Sequence, residues 1–224
     1  VIDSSTYAVT MITVGVNPIA VAITPNGSFA YVANQTSNTV SVINVATGAT
    51  TPTVTVGSGP SGVAISPNGS TAYVTNVSSN SVSVISTALN TVGSTITIGS
   101  STWPLGVVFH PNQIAHPRAY VGDYNANAVS IIDTGSNTVI GTIPVGLSPS
   151  GLAITPDGST LYVTNRSNPG SVSVIDTATN TITHTIDVGP NPADVAVSPD
   201  GSTAYVTNFL GNSVSVIDTA TNTV

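Results

Sequence analysis

The stretch Ser198-Pro199-Asp200-Gly201-Ser202-Thr203-Ala204-Tyr205-Val206-Thr207-Asn208 decides the reading of this chain, because versions of it occur five times. It reads as a strand end, a tight turn and a second strand. Pro sets φ, and Asp and Gly tolerate the left-handed backbone that such turns demand. Full copies run from Thr24-Pro25-Asn26-Gly27 to Tyr31-Val32-Ala33-Asn34, from Ser66-Pro67-Asn68-Gly69 to Tyr73-Val74-Thr75-Asn76, and from Thr155-Pro156-Asp157-Gly158 to Tyr162-Val163-Thr164-Asn165. A degenerate copy runs from His110-Pro111 to Tyr120-Val121-Gly122-Asp123.

Tyr31, Tyr73, Tyr120, Tyr162 and Tyr205 are 42, 47, 42 and 43 residues apart, a period that suits propeller blades of four short strands. In the second unit, Ser61-Gly62-Val63-Ala64-Ile65 reads as the first strand and Thr71-Ala72-Tyr73-Val74-Thr75 as the second. Ser81-Val82-Ser83-Val84-Ile85 alternates as the third, and Thr91 to Ile98 forms the fourth. No segment carries a helical period. The expected class is all-β: a β-propeller of four-stranded antiparallel blades in a single domain over residues 1–224, with units at about 15–57, 58–99, 100–146, 147–189 and 190–224 plus 1–14.

Residues 1–14 read as the end of a third strand and a fourth strand, while the last unit stops after its third strand, Ser213 to Asp218. Pairing of residues 7–14 beside Ser213 to Ile217 would close five blades by strand exchange and remove every open edge. A closed ring implies a monomer. The competing reading is an arc of a longer array, since Thr219-Ala220-Thr221-Asn222-Thr223 copies Thr177-Ala178-Thr179-Asn180-Thr181, which opens a fourth strand.

A chain of 224 residues buries about 70% of the surface it exposes unfolded. Nine acids, all Asp, against Arg118 and Arg166 give a net charge of −7, with no Lys or Glu. That balance argues against a nucleic-acid footprint and against anionic lipid. No window approaches the roughly 20 apolar residues of a membrane span. Absence of Cys rules out disulfides and thiolate sites. A surface of hydroxyls and amides with almost no cations points to a secreted or cell-surface protein, the periplasm included, and any targeting signal is expected to lie outside the sequence or to have been removed.

Tyr-Val-Thr-Asn at 73–76, 162–165 and 205–208, Val-Ser-Val-Ile-Asp-Thr-Ala-Thr-Asn-Thr at 172–181 and 214–223, and the recurring Val-Gly-x-x-Pro carry a likeness. Across essentially its whole length the chain resembles the YVTN family of β-propeller repeats. The resemblance implies an extracellular or periplasmic propeller of the kind found in surface-layer and adhesion proteins, related in fold to lactonase-like and cofactor-dependent propellers. Members commonly have seven blades, so five is a departure.

Residues that keep the repeat period belong to the scaffold. On that rule the tyrosines are blade-core residues, not a ring of sugar-stacking aromatics, and Asn34, Asn76, Asn165 and Asn208, with Asp123 in the third unit, bond nearby backbone. Asn26, Asn34, Asn68, Asn76 and Asn165 also satisfy Asn-x-Ser/Thr, a pattern that arises easily in this composition.

Function is expected where the repeat breaks. The third unit carries two extra residues before Pro104, in Ser100-Ser101-Thr102-Trp103, and three in the hairpin from His110 to Arg118. It holds the only Trp, two of three His and one of two Arg. Trp103 suits a sugar ring or an interface, and His110 with Arg118 suits an anion. The bland alternative is a loop packing on itself. His110 and His116 would need a third zinc ligand, with Asp123 the nearest acid. Asp194 stands where other units have Ala20, Gly62, Gly106 and Gly151, as a single carboxylate at a channel mouth. Paired-carboxylate hydrolysis needs a second at a defined separation, and none is evident.

The expectation is therefore a non-catalytic cell-surface or secreted propeller acting as a structural, adhesion or ligand-binding module, without cofactor or metal, with protein or carbohydrate as its partner and Trp103, His110, His116, Arg118, Asp123 and Asp194 as the candidate ligand-binding residues. The alternative is a lactonase- or lyase-like enzyme, which needs acids and histidines converging at one end of the channel.

Overall fold

Each repeat becomes one antiparallel sheet, because its period-two segments are short, β-branched and separated by turn residues. The computed structural model describes residues 5–112 and 117–224. The first sheet is β1 (Pro18–Ile23), β2 (Phe29–Asn34), β3 (Thr39–Asn44) and β4 (Val54–Thr55), paired in that order. The second is β5 (Pro60–Ile65), β6 (Thr71–Asn76), β7 (Ser81–Ser86) and β8 (Thr91–Thr97). The third is β9 (Pro104–Phe109), β10 (Arg118–Asp123), β11 (Ala128–Asp133) and β12 (Thr138–Pro144). The fourth is β13 (Pro149–Ile154), β14 (Thr160–Asn165), β15 (Gly170–Asp176) and β16 (Thr181–Val188). The fifth has three strands among the described residues: β17 (Pro192–Val197), β18 (Thr203–Asn208) and β19 (Ser213–Asp218). The all-β class and the antiparallel blades agree with the sequence reading.

The first strands pack side by side, β1 on β5, β5 on β9, β9 on β13 and β13 on β17. Room for this comes from small residues: a Cβ on Gly106 would stand 2.5 Å from the Ser150 carbonyl oxygen, and one on Gly151 2.5 Å from Asp194 Cα. The cores lie between blades. At the last junction Tyr162, Val172, Val174 and Ile186 of the fourth blade meet Val195, Ala204, Val206 and Ile217 of the fifth. The other junctions repeat that scheme. Tyr31, Tyr73, Tyr120 and Tyr162 are buried there, and each hydroxyl donates to an Asn of the next blade's last turn, Asn90, Asn137, Asn180 and Asn222 in order.

The expected closure is not formed. Residues 7–14 make no strand beside β19, and Tyr205, Val214 and Val216 at one end and Val21 and Ile23 at the other are exposed. Among the described residues the five sheets pack in series, each on its neighbour, and the fifth keeps three strands.

The turns explain the wealth of Asn. Asn26 and Asn68, like Asp157 and Asp200, accept a hydroxyl from two residues before and an N–H from two residues after. For Asp200 these donors hold the carboxyl down at about 2. Asn90, Asn137, Asn180 and Asn222 all take positive φ, a region Asn tolerates better than other residues with a Cβ.

Candidate functional site

Trp103 and His110 flank β9, so a six-residue strand of about 20 Å separates them, and the third unit's two insertions lie on opposite rims. Each rim builds a different environment.

On the first rim, the residue before each first strand takes left-handed backbone: Asn17, Gly59, Ser148 and Asn191 in four units and Trp103, with φ 53°, in the third. A bulky aromatic is out of place in that region. Its N–H donates to Asn80 Oδ1 and its carbonyl accepts from the Tyr124 N–H, which pins the loop. Trp103 is 48% exposed, and its ring stacks on Tyr124, with centroids 6.3 Å apart and planes 21° from parallel. Asn125 and Ser101 stand exposed beside the pair. Tyr124 escaped the sequence reading. Its signal was an aromatic directly after the irregular Asp123.

Asp123 lies just beneath this rim and is 1% exposed. In four units the equivalent Asn donates its amide to two hydroxyls, as Asn76 does to Ser81 and Ser83. A carboxylate has nothing to donate, so Ser130 turns round and donates to Asp123 Oδ2 at 2.6 Å. The second hydroxyl is replaced by Ala128, and Asp123 Oδ1 is buried without a partner among the described residues. Burial pushes the carboxyl up to about 7, against the opposing bonds from Ser130.

On the opposite rim, Pro25 packs on Gly69 and Pro156 on Gly201 between successive hairpins. The third hairpin carries Gln113 where the glycine belongs, so Pro67 has no such glycine beside it. A cleft of about 550 Å3 opens there, lined by Pro67, Asn68, Phe109 and Pro117 over the Tyr73 ring, which lies 4.7 Å from Phe109. His110 and Arg118 also border it, and each makes one bond to the fourth blade. His110 Nδ1 accepts the Asn112 N–H, and its ring lies on Gly158 and bonds the backbone there. Burial lowers its pKa, with the Gly158 bond opposing and Arg118 adding to the fall. Arg118 Nη1 donates to the Thr177 carbonyl at 3.2 Å.

Asp194 stands exposed on β17, its Oδ1 accepting the Val195 N–H, and partial desolvation raises its pKa. His116 lies outside the described residues. The candidates are therefore spread over two rims and the inner strands, and no group of three His, Cys, Asp or Glu that could hold a metal ion exists among the described residues. Of the sequons, Asn34, Asn76 and Asn165 are fully buried, while Asn26 and Asn68 are exposed.

A family model described as lactonase, 7-bladed β-propeller, matches residues 118–223. Hydrazine synthase from Kuenenia stuttgartiensis superposes with a TM-score of 0.83 at 28% identity, over 94% of this chain and 65% of that one. A functionally unknown protein from Desulfotomaculum acetoxidans DSM 771 superposes with a TM-score of 0.76 at 22% identity, over 92% of this chain and 71% of that one. The fold is that of a β-propeller. The chain spans less than two thirds of the hydrazine synthase chain it matches. No curated protein sequence matches it.

Proposed function

We propose that this chain is a non-catalytic ligand-binding propeller of a secreted or cell-surface protein of the YVTN repeat type, and that it takes a neutral saccharide on the Trp103–Tyr124 platform. One observation carries the reading: a half-exposed Trp held at a left-handed backbone position that the other units give to Asn, Gly or Ser. Backbone strain of this kind persists where function uses it. A flat aromatic pair suits the apolar face of a sugar ring, and the surrounding Asn and Ser side chains suit its hydroxyls. The scarcity of Lys and Arg in the whole chain disfavours an acidic ligand.

The test is a glycan array followed by titration of the best ligand against the native chain and Trp103→Asn. Asn relieves the backbone, so the variant folds at least as well. Affinity is expected to fall at least about tenfold. Unchanged affinity for the identified glycan would sink the proposal.

The match of residues 118–223 to a lactonase model favours one second reading, hydrolysis of a cyclic ester. Assay of simple lactones decides it. Turnover that survives Trp103→Asn and disappears in Asp194→Asn would support that enzyme reading over the binding one.

A further inference from the structure

On the rim that carries the Pro-Asn/Asp-Gly hairpins, one crevice recurs between neighbouring blades. Between the fourth and fifth blades it measures about 320 Å3, with Pro156, Tyr162 and Thr219 around it and Asp157 and Asp200 at its exposed edge. Hydrogen bonds from the turns hold both carboxyls below the ordinary carboxylate range, so that crevice carries two negative charges at neutral pH. Between the second and third blades the same crevice widens to the cleft of about 550 Å3. Small-molecule sites span about 300–1,000 Å3.

The wider cleft differs in chemistry as well as in size. Phe109 holds the place that Ile23, Ile65, Ile154 and Val197 hold in the other first strands, and Asn112 holds that of Asp200. With Asn68 in the place of Asp157, no carboxylate lines the cleft among the described residues. The Tyr73 and Phe109 rings meet there at 53°. Tyr73 is wholly buried, whereas Phe109 is half-buried, and the part left uncovered lines the cleft between Pro67 and Pro117.

The polar groups narrow the ligand further. Asn68 Oδ1 accepts the Ser66 and Ser70 hydroxyls and the Ser70 N–H, which leaves Asn68 Nδ2 as a donor without a partner among the described residues. Arg118 Nη1 bonds the Thr177 carbonyl across the next junction, and its Nε is buried. His110 is uncharged at neutral pH, because burial lowers its pKa. An apolar aromatic floor, one free amide donor and no carboxylate suit a flat molecule without charge, since an ion would be desolvated there without a partner.

We infer that this cleft is a second binding site, and that it takes a small, uncharged aromatic molecule, held against Phe109 and the two prolines with an acceptor facing Asn68 Nδ2. The site lies on the rim opposite the Trp103–Tyr124 platform and does not depend on the saccharide reading.

Titration of the 15N-labelled native chain at neutral pH with naphthol, naphthoate and naphthylmethylammonium tests this, since the three probes share one ring system and differ in charge. Naphthol is expected to bind at least about threefold tighter than either ion, with shifts at the amides of Asn68, Ser70 and Phe109. Phe109→Val, which installs the residue that the fifth blade has at this position, should weaken naphthol at least about fivefold. Ser70→Trp sets a ring across the mouth from an exposed position, where folding is undisturbed, and should abolish binding. No saturation up to millimolar naphthol overturns the inference, as do shifts confined to Trp103 and Tyr124 or an affinity that either variant leaves untouched. Tighter binding of naphthoate or naphthylmethylammonium overturns it too, because charge and not the ring would then be what the cleft recognises.

Discussion

Asp123→Asn should stabilise the chain, and by an amount that grows with pH. Folded, the Asp123 carboxyl keeps its proton up to about pH 7; unfolded, it releases it near its ordinary value of 3.8. Between those values the folded state holds one more proton, so stability falls by about 1.4 kcal/mol for each pH unit. The loss is complete above the folded value, where it totals about 4 kcal/mol. The amide introduced by the substitution would donate to Ser130 as the other four Asn donate to their hydroxyls, with no charge to bury. His110 acts in the opposite sense, because its lowered pKa makes stability fall as pH drops below about 6.5. Comparing the variant with the native chain cancels that contribution. Urea denaturation at pH 5 and pH 8 should show the variant's advantage larger by about 3 kcal/mol at pH 8, from the two units that separate pH 5 from the folded value. An equal advantage at both pH values would show that the buried carboxyl does not titrate in this window.

Ala128→Ser should move stability the same way by a different route. It restores the second hydroxyl that the other units aim at this position, gives the carboxylate oxygen that already accepts from Ser130 a second donor, and pulls the carboxyl pKa down, read directly by carboxyl 13C titration. Gly151→Ala should cost more than about 2 kcal/mol, because its Cβ would stand 2.5 Å from the Asp194 backbone between two packed strands; a melting temperature within a degree of native would refute that account. Tyr73→Phe should cost about 1 to 2 kcal/mol by leaving Asn137 Oδ1 without its donor, and the loss should shrink when Asn137→Gly removes the acceptor as well.

The blades were legible because their residues are chosen locally. The Pro-Asn/Asp-Gly hairpins and the alternating Val and Ser of β7, β15 and β19 require only turn chemistry and a period of two. Even the role of residues 7–14 as fourth-strand sequence was readable. Whether they reach β19 of the same chain depends on the angle summed over all the junctions, and no single residue reports that angle. The third unit shows the same division. Its insertions announce a departure from the repeat, but Trp103 and the His110 hairpin are adjacent on paper and lie on opposite rims. Alignment before each X-Pro step would have placed Trp103 in a left-handed slot alongside Asn17, Gly59, Ser148 and Asn191. Nothing in the sequence says that His110 and Arg118 turn towards the fourth blade, since that follows from the packing of Gly158.

A closed ring has no place from which to fray, but this row of blades has two. Each inner blade is clamped on both sides and each outer blade on one, so opening should spread inward from the ends like a stack losing its outermost sheets. Amide exchange would then be fastest in β1 and β19 and slowest in the middle. The buried acid sits in that middle blade, so alkaline solution would loosen the row at its centre, and there alone fraying would begin from within.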